Sequence, residues 1–253
     1  MTAVQGRAVE ITTPDGVADA YVTHPADGGT YPGLLLYMDA FGLRPSLRAL
    51  ADDLAAHGYV VLVPNVFYRH GPAPVVDLPE FIDPQQRPDL MAVIVPMLRE
   101  ITRETAVRDA GAYLQWLTEY EHTASGPVAT AGYCMGGRLA VYTAGAFGGR
   151  IAAAAGFHTG GLLVDGPDSP HHSLETASAE MYFGHADQDH SLPPEQIEAF
   201  DAALTAAGLR HRTEVYPGAQ HGYTQADTDA YDREADQRHR RELLGLLDRT
   251  LRR

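Results

Sequence analysis

The chain has 253 residues, with 19 Lys and Arg against 33 Asp and Glu, and its formal net charge is −14. Phosphate backbones and anionic lipid repel a chain this acidic, so neither nucleic acid nor a membrane is an expected partner. The sequence contains no lysine, which excludes chemistry that depends on a lysine amine, such as Schiff-base formation. The length suits a single α/β domain spanning residues 1–253.

Cysteine usage and hydropathy give expectations about the compartment. Cys134 is the only cysteine, so the chain cannot form an internal disulfide, which favours a reducing compartment. The N-terminus lacks a basic start followed by an apolar stretch, and no apolar run reaches the roughly 18 residues that a membrane helix needs. We therefore expect a cytoplasmic protein.

The first quarter of the chain predicts a hairpin and then a βαβ unit. Residues 7–25 alternate apolar and polar side chains around a turn, as two antiparallel strands do. Residues 33–38 and 59–65 are continuous apolar runs typical of buried parallel strands. Residues 45–58, between them, have helical spacing and end in glycine.

A proline-rich irregular segment follows, at about residues 66–94. So long a loop in a compact domain predicts a lid or a pocket wall. A helical pattern over residues 89–120 overlaps its end and contains Pro96, which we expect to break or kink the helix.

The second half alternates predicted strands and helices. The strands are predicted at residues 127–133, 151–158, 179–186 and 211–217, and the helices at 135–147, 193–208 and 232–251. This order predicts an α/β fold with a mostly parallel central sheet flanked by helices on both faces. Active residues are then expected at the carboxyl ends of the strands.

Cys134 lies between Gly132 and Gly136, where a predicted strand turns directly into a predicted helix. At such a turn a nucleophile is held in a strained backbone conformation, and the glycines let strand and helix approach. The helix dipole favours the reactive thiolate, and the N–H of Met135 can stabilise an oxyanion. The frame therefore favours a nucleophile over a buried spectator thiol.

A nucleophile of this kind predicts an acid and then a histidine further along the chain. His221 follows the last predicted strand in a glycine-flanked loop. Asp187 and Asp189 both follow the preceding strand; the strand end favours Asp187, whereas the start of the next helix favours Asp189, which we choose. The other carboxylate is expected to cap the turn or face solvent.

Cys134, His221 and Asp189 together predict acyl transfer. The thiolate attacks an activated carbonyl, an acyl-enzyme forms, and water activated by His221 releases the acyl group. His171 and His172 are adjacent but have no third ligand at a recognisable spacing, so no metal is expected. No organic cofactor is expected either.

These motifs resemble those of the dienelactone hydrolase family of α/β-hydrolases. The resemblance runs from residues 33–43 through 132–140 and 189–193 to 216–223. It implies an α/β-hydrolase fold and opening of enol-lactones of the carboxymethylenebutenolidase type. It also implies the roles of nucleophile, acid and base for Cys134, Asp189 and His221, respectively.

The resemblance further implies roles for the loop after the strand at 33–38. The family places a glutamate there, in contact with the resting thiol; the equivalent here is Asp39, one methylene shorter. The N–H of Ala40 would be the second oxyanion donor. Asp39 could instead cap the helix that begins near Pro45.

In the family, arginine and tyrosine of the middle region recognise a substrate carboxylate. Tyr68, Arg69 and Arg103 are the candidate equivalents, and Phe41 and Tyr133 complete the candidate substrate-binding residues. The long proline-rich segment leaves room for a different substrate.

The leading hypothesis is therefore a cysteine-dependent hydrolase of a small-molecule ester or lactone, monomeric or homodimeric. One alternative keeps the fold and the three residues but uses them for biosynthetic acyl transfer, cyclisation or thioester cleavage. A further alternative is a metabolite-binding or redox-sensing protein in which Cys134 responds to oxidation.

Overall fold

The computed structural model describes residues 2–83 and 88–252. Its strands are β1 (Val4–Thr13), β2 (Gly16–Pro25), β3 (Gly33–Tyr37), β4 (Val60–Pro64), β5 (Val128–Tyr133), β6 (Ile151–Phe157), β7 (Glu180–Gln188) and β8 (His211–Gln220). Its helices are α1 (Pro45–Ala56), α2 (Pro88–Glu100), α3 (Arg103–Glu119), α4 (Met135–Phe147), α5 (Pro194–Ala206) and α6 (Arg233–Leu251). No helix in these two stretches is both long and apolar enough to cross a membrane.

The eight strands form one sheet in the order β1-β2-β4-β3-β5-β6-β7-β8. β1 and β2 form the predicted antiparallel hairpin, and β2 pairs antiparallel with β4. All pairs from β4 to β8 are parallel. Every residue of β3, β4 and β5 is buried, which requires cover on both faces of the sheet. The predicted α/β fold is confirmed.

The helical pattern over residues 89–120 forms two helices, α2 and α3. Pro96 lies inside α2 and does not break it, so that part of the prediction is wrong. The break falls at Thr102, because its hydroxyl accepts a hydrogen bond from the Thr105 amide while the Thr105 hydroxyl accepts one from the Thr102 amide. This reciprocal cap starts a new helix at Arg103.

The proline-rich segment reaches the carboxyl edge of the sheet. Ile82 is buried, and its amide donates to the carbonyl of Asp227 in the loop after β8. Met91, in α2, lines a pocket over Cys134. Met91 is the one residue of the 66–94 segment that lines this pocket among those the structure describes, and residues 84–87 lie outside the described residues.

Candidate active site

Cys134 lies between β5 and α4 in a strained backbone conformation. Its φ is +53° and its ψ is −119°, and among the described residues only one other non-glycine residue, His158, has a positive φ. Its amide donates to the carbonyl of Phe157 at the end of β6. Such strain persists only where the surrounding structure holds it, and it is typical of functional sites.

The glycines around Cys134 are required by the close contact between β5 and α4. A Cβ on Gly132 would collide with the carbonyl of Gly136. A Cβ on Gly136 would lie 2.6 Å from the carbonyl oxygen of Met38, at the end of β3. Both obstacles are backbone atoms that cannot rotate away. The helix N-terminus is thereby pressed against the strand ends, and the thiol projects above the sheet.

His221 follows β8 and faces Asp189, which follows β7. The ring Nδ1 lies 2.7 Å from Oδ2 of Asp189, whose side chain is 3% exposed. Oδ1 of Asp189 accepts from the amide of Ser191 at 2.8 Å and from its hydroxyl at 2.6 Å. Asp189 is therefore an acceptor, Nδ1 carries a proton, and Nε2 is the ring nitrogen left for the hydrogen bond to Cys134.

The charges around His221 favour its protonated form. Burial lowers the pKa of His221, but the negative charge of Cys134 and hydrogen bonds to Asp189 and Cys134 raise it, with a net value of about 10. Burial raises the pKa of Asp189, and the hydrogen bonds from His221 and Ser191 more than offset this, so it lies below its usual value. These shifts favour a protonated imidazole on His221 paired with the ionised carboxylate of Asp189.

Asp187, the other acid considered, has a different environment. It lies in β7, is exposed, and accepts from the amide of Gly218 at 2.9 Å and from the side chain of Gln188 at 3.2 Å. The structure thus brings Asp189 to His221 and places Asp187 on the backbone of β8.

Asp39 is buried in the loop after β3, beside the thiol's pocket. Its carboxylate accepts from Arg44 Nη1 at 2.7 and 2.9 Å and from the amide of Phe41 at 2.8 Å. Arg44 itself is the N-cap residue of α1, and no side chain caps that helix, so the capping alternative for Asp39 is wrong. Both carboxylate oxygens are held by Arg44, and none of the hydrogen bonds described for Asp39 reaches Cys134.

The two candidate oxyanion donors are the backbone amides of Met135 and Ala40. Met135 is the first residue of α4, where backbone amides have no acceptor within the helix. Ala40 lines the pocket that contains Cys134.

This pocket has a volume of about 270 Å³ and lies at the carboxyl edge of the sheet. It is lined by Ala40, Phe41, Met91, Cys134, Gln220, His221, Gln225, Thr228, Asp229 and Ala230. Phe41 is the one candidate substrate-binding residue among them.

The other candidates for substrate binding lie elsewhere. Arg69 pairs with Asp109 at 2.7 Å and with Asp15 at 2.6 Å, and the hydroxyl of Tyr68 donates to Asp109. These carboxylates hold both side chains against β1 and α3, away from the pocket. The buried hydroxyl of Tyr133 lies 2.9 Å from His239 Nε2, and Arg103 Nε lies 3.4 Å from the hydroxyl of Ser173.

Sequence reasoning missed His158, which lies directly beneath His221. It follows β6, is fully buried, and has a φ of +39°. Its ring meets that of His221 edge to face, with centroids 5.2 Å apart, and its Nε2 lies 2.8 Å from the hydroxyl of Thr224. Burial holds the pKa of His158 well below its usual value, so the ring is neutral. Its place at the end of a parallel strand next to β5 was the available signal.

Comparisons with known proteins identify the family of this chain. The model of the dienelactone hydrolase family matches residues 18–251. A Salmonella typhi protein provisionally named carboxymethylenebutenolidase is 25% identical over 232 residues, which cover 84% of this chain and 81% of that protein. A Synechocystis protein of the same provisional name is 23% identical over 218 residues and covers 85% of each chain.

The fold is also similar to solved structures. A structure from Klebsiella pneumoniae, provisionally described as a dienelactone hydrolase, superposes with a TM-score of 0.83 at 20% identity, covering 97% of this chain and 98% of that one. An acetyl xylan esterase from Paenibacillus has a TM-score of 0.69 at 16% identity, covering 99% of this chain and 85% of that one. With the family model spanning β2 to α6, this chain belongs to the dienelactone hydrolase family and is a hydrolase of ester bonds.

Proposed function

We propose that this protein hydrolyses a small-molecule carboxylic ester or lactone through a covalent intermediate on Cys134. His221 is the proposed general acid and base, and Asp189 orients its ring. Relatives named for an enol-lactone hydrolase make an enol-lactone a suitable first substrate to test.

One observation carries the proposal: a strained thiol at a helix N-terminus shares one histidine with a buried carboxylate. Cys134 has a φ of +53°, and His221 bonds both Cys134 and Asp189. Each feature alone occurs in structural sites. Together they form a nucleophile, a base and an orienting acid in hydrogen-bond reach of one another.

In the first half-reaction the thiolate of Cys134 attacks the substrate carbonyl carbon. The carbonyl electrons move onto oxygen, and the amides of Met135 and Ala40 are the proposed donors to that oxyanion. When the tetrahedral intermediate collapses, the C–O bond breaks, and His221 gives its proton to the departing oxygen. A thioester and a neutral His221 remain; for a lactone, the released hydroxyl or enol stays attached to the acyl group.

In the second half-reaction water attacks the thioester. Neutral His221 takes a proton from the water molecule while the water oxygen bonds to the carbonyl carbon. The C–S bond then breaks, the thiolate is restored beside the protonated imidazole, and the carboxylic acid product leaves. Asp189 keeps Nδ1 protonated in both steps, so Nε2 always faces the reacting atoms.

The test is to trap the acyl group on Cys134. The protein is mixed with an activated ester and with an enol-lactone, quenched in acid and measured by intact mass, followed by peptide mapping. We expect a mass increase equal to the acyl group on the peptide with Cys134, and turnover of at least one substrate. Cys134→Ala should lose both signals, because no other cysteine can replace the thiol.

Undiminished turnover by Cys134→Ala would refute the proposal. Stable acylation without release of acid would instead favour transfer to another acceptor, the biosynthetic alternative. Tight binding of a metabolite with no acyl-enzyme from any donor would favour a binding or sensing protein.

A further inference from the structure

The pocket over Cys134 carries negative but no positive side-chain charge, apart from His221. Among residues 2–83 and 88–252, its lining includes no arginine, and the chain has no lysine. The polar lining side chains are the neutral Gln220, Gln225 and Thr228 and the carboxylate of Asp229. Asp229 is exposed, so its carboxylate contacts the solvent in the pocket, and a bound substrate would displace that solvent.

The positive charge of Arg44, which lies near the pocket, is already neutralised by protein carboxylates. Arg44 is 5% exposed; its Nη1 lies 2.7 Å from Asp39, and its Nε lies 2.7 Å from Asp227. Its Nη2 also donates to Asp227 at 3.1 Å, so every nitrogen of the guanidinium is engaged. One positive and two negative charges leave this cluster with a net negative charge. This cluster would therefore repel a substrate carboxylate and would not form an ion pair with it.

The middle-region arginine that sequence reasoning put forward is also engaged. Arg69 is shared between Asp109 of α3 and Asp15 in the turn between β1 and β2, and it does not line the pocket. The resemblance to the family implies that arginine and tyrosine hold a substrate carboxylate. In this chain Tyr68 and Arg69 hold protein carboxylates instead, and Nε of Arg103 faces the hydroxyl of Ser173.

We infer that this enzyme acts on esters or lactones whose acyl part has no ionised carboxylate, and that Asp229 is a residue that determines this specificity. The inference rests on the proposed function. Its physical basis is that Asp229 and the Arg44 cluster both repel an anion, and the chain's charge of −14 slows anion approach from a distance. A neutral acyl group meets no such repulsion and can use the apolar faces of Phe41 and Met91.

The experiment compares two esters of nearly equal shape: 4-nitrophenyl 5-methylhexanoate and the 4-nitrophenyl monoester of glutaric acid. The first ends in an isopropyl group where the second ends in a carboxylate. Rates with Cys134→Ala are subtracted as background for each ester. We expect kcat/KM of the wild type to be higher for the neutral ester by about tenfold or more at low salt.

Asp229→Asn should lower the ratio of kcat/KM for the neutral ester to kcat/KM for the glutarate ester by about fivefold. The reason is that one repelling charge is removed next to the acyl site. The matched control is Asp165→Asn, which removes one exposed carboxylate that does not line the pocket and should leave the preference unchanged. The wild-type preference should also shrink as ionic strength rises, which a purely steric preference would not do.

Equal or better turnover of the glutarate ester by the wild type would overturn this inference while leaving the proposed function intact. An unchanged preference in Asp229→Asn would remove Asp229 from its assigned role. If neither ester is cleaved and Cys134 forms no acyl-enzyme, the proposed function fails, and this inference fails with it.

Discussion

A cleft lies at each edge of the parallel sheet, and the two clefts differ in volume and in the chemistry of their side chains. At the amino ends of the strands, a cleft of about 570 Å³ is lined by residues such as Pro32, Pro127 and Gly149, and its charged groups are Glu180 and Arg210, which pair with each other. At the carboxyl ends, the pocket over Cys134 is half that size.

The smaller pocket nevertheless contains the chemistry. The strained backbone of Cys134 and the shifted pKa values of His221 and Asp189 all lie at the carboxyl edge. Parallel strands align their carboxyl ends at this edge, so the loops that follow them bring these side chains together. Strain and coupled charge therefore identify the site better than volume does.

The largest expected effect concerns the two carboxylates near the end of β7. Asp189→Asn should lower kcat by about 10³- to 10⁴-fold. The neutral amide of asparagine would no longer give the protonated Nδ1 of His221 a negatively charged acceptor. Asp187→Asn should change kcat less than about threefold, since Asp187 contacts backbone at β8. Steady-state kinetics with an activated ester measure both. A larger loss of kcat in Asp187→Asn than in Asp189→Asn would mean that Asp187, and not Asp189, orients His221.

A matched glycine pair compares the stability of the two edges. Gly136→Ala should cost about 2–3 kcal/mol, because the new methyl meets the backbone carbonyls of Tyr37 and Met38. Gly149→Ala, in the amino-edge cleft, places its methyl in open space and should cost less than about 1 kcal/mol. Chemical denaturation measures both free energies of unfolding. Equal costs would contradict the tight strand-to-helix contact at Cys134.

His158 is expected to act on the rate through His221. His158→Phe keeps an aromatic ring but loses the bond to Thr224, so kcat should fall about tenfold with little change in KM. Thr224→Val removes the same bond from the other side and should give a similar loss, and the double variant should lose no more than either single one. Additive losses would show that the two side chains act independently.

A last prediction concerns the pH dependence of stability. The pKa of His221 is raised to about 10, so its ion pair stabilises the folded state fully below its unfolded value of about 6.5 and is lost as pH rises through about 10. The difference in free energy of unfolding between wild type and His221→Gln should shrink across that range. Denaturation series from pH 6 to pH 11 measure it, and a difference that stays constant would contradict the charged pair.

Local sequence patterns determined the elements that carry the nucleophile. The frame Gly132–Cys134–Gly136 follows an apolar run and precedes helical spacing, and α4 spans the predicted residues 135–147. Such patterns are local, because a turn without room for Cβ atoms admits only glycine. Chain order likewise brought Asp189 and His221 to neighbouring strand ends, because parallel strands align their carboxyl ends.

Tertiary structure decided the contacts between residues far apart in the chain. Arg44 and Asp227 are separated by 183 positions and meet only because the loops after β3 and β8 share one edge. This pairing, with Asp39, gives the pocket wall its negative charge, and no local spacing encodes it. His158 reads as an ordinary strand residue until β6 places it under His221. Sequence thus determined which groups can react, and the packed sheet determined which charges surround them, because electrostatic partners depend on distance in space.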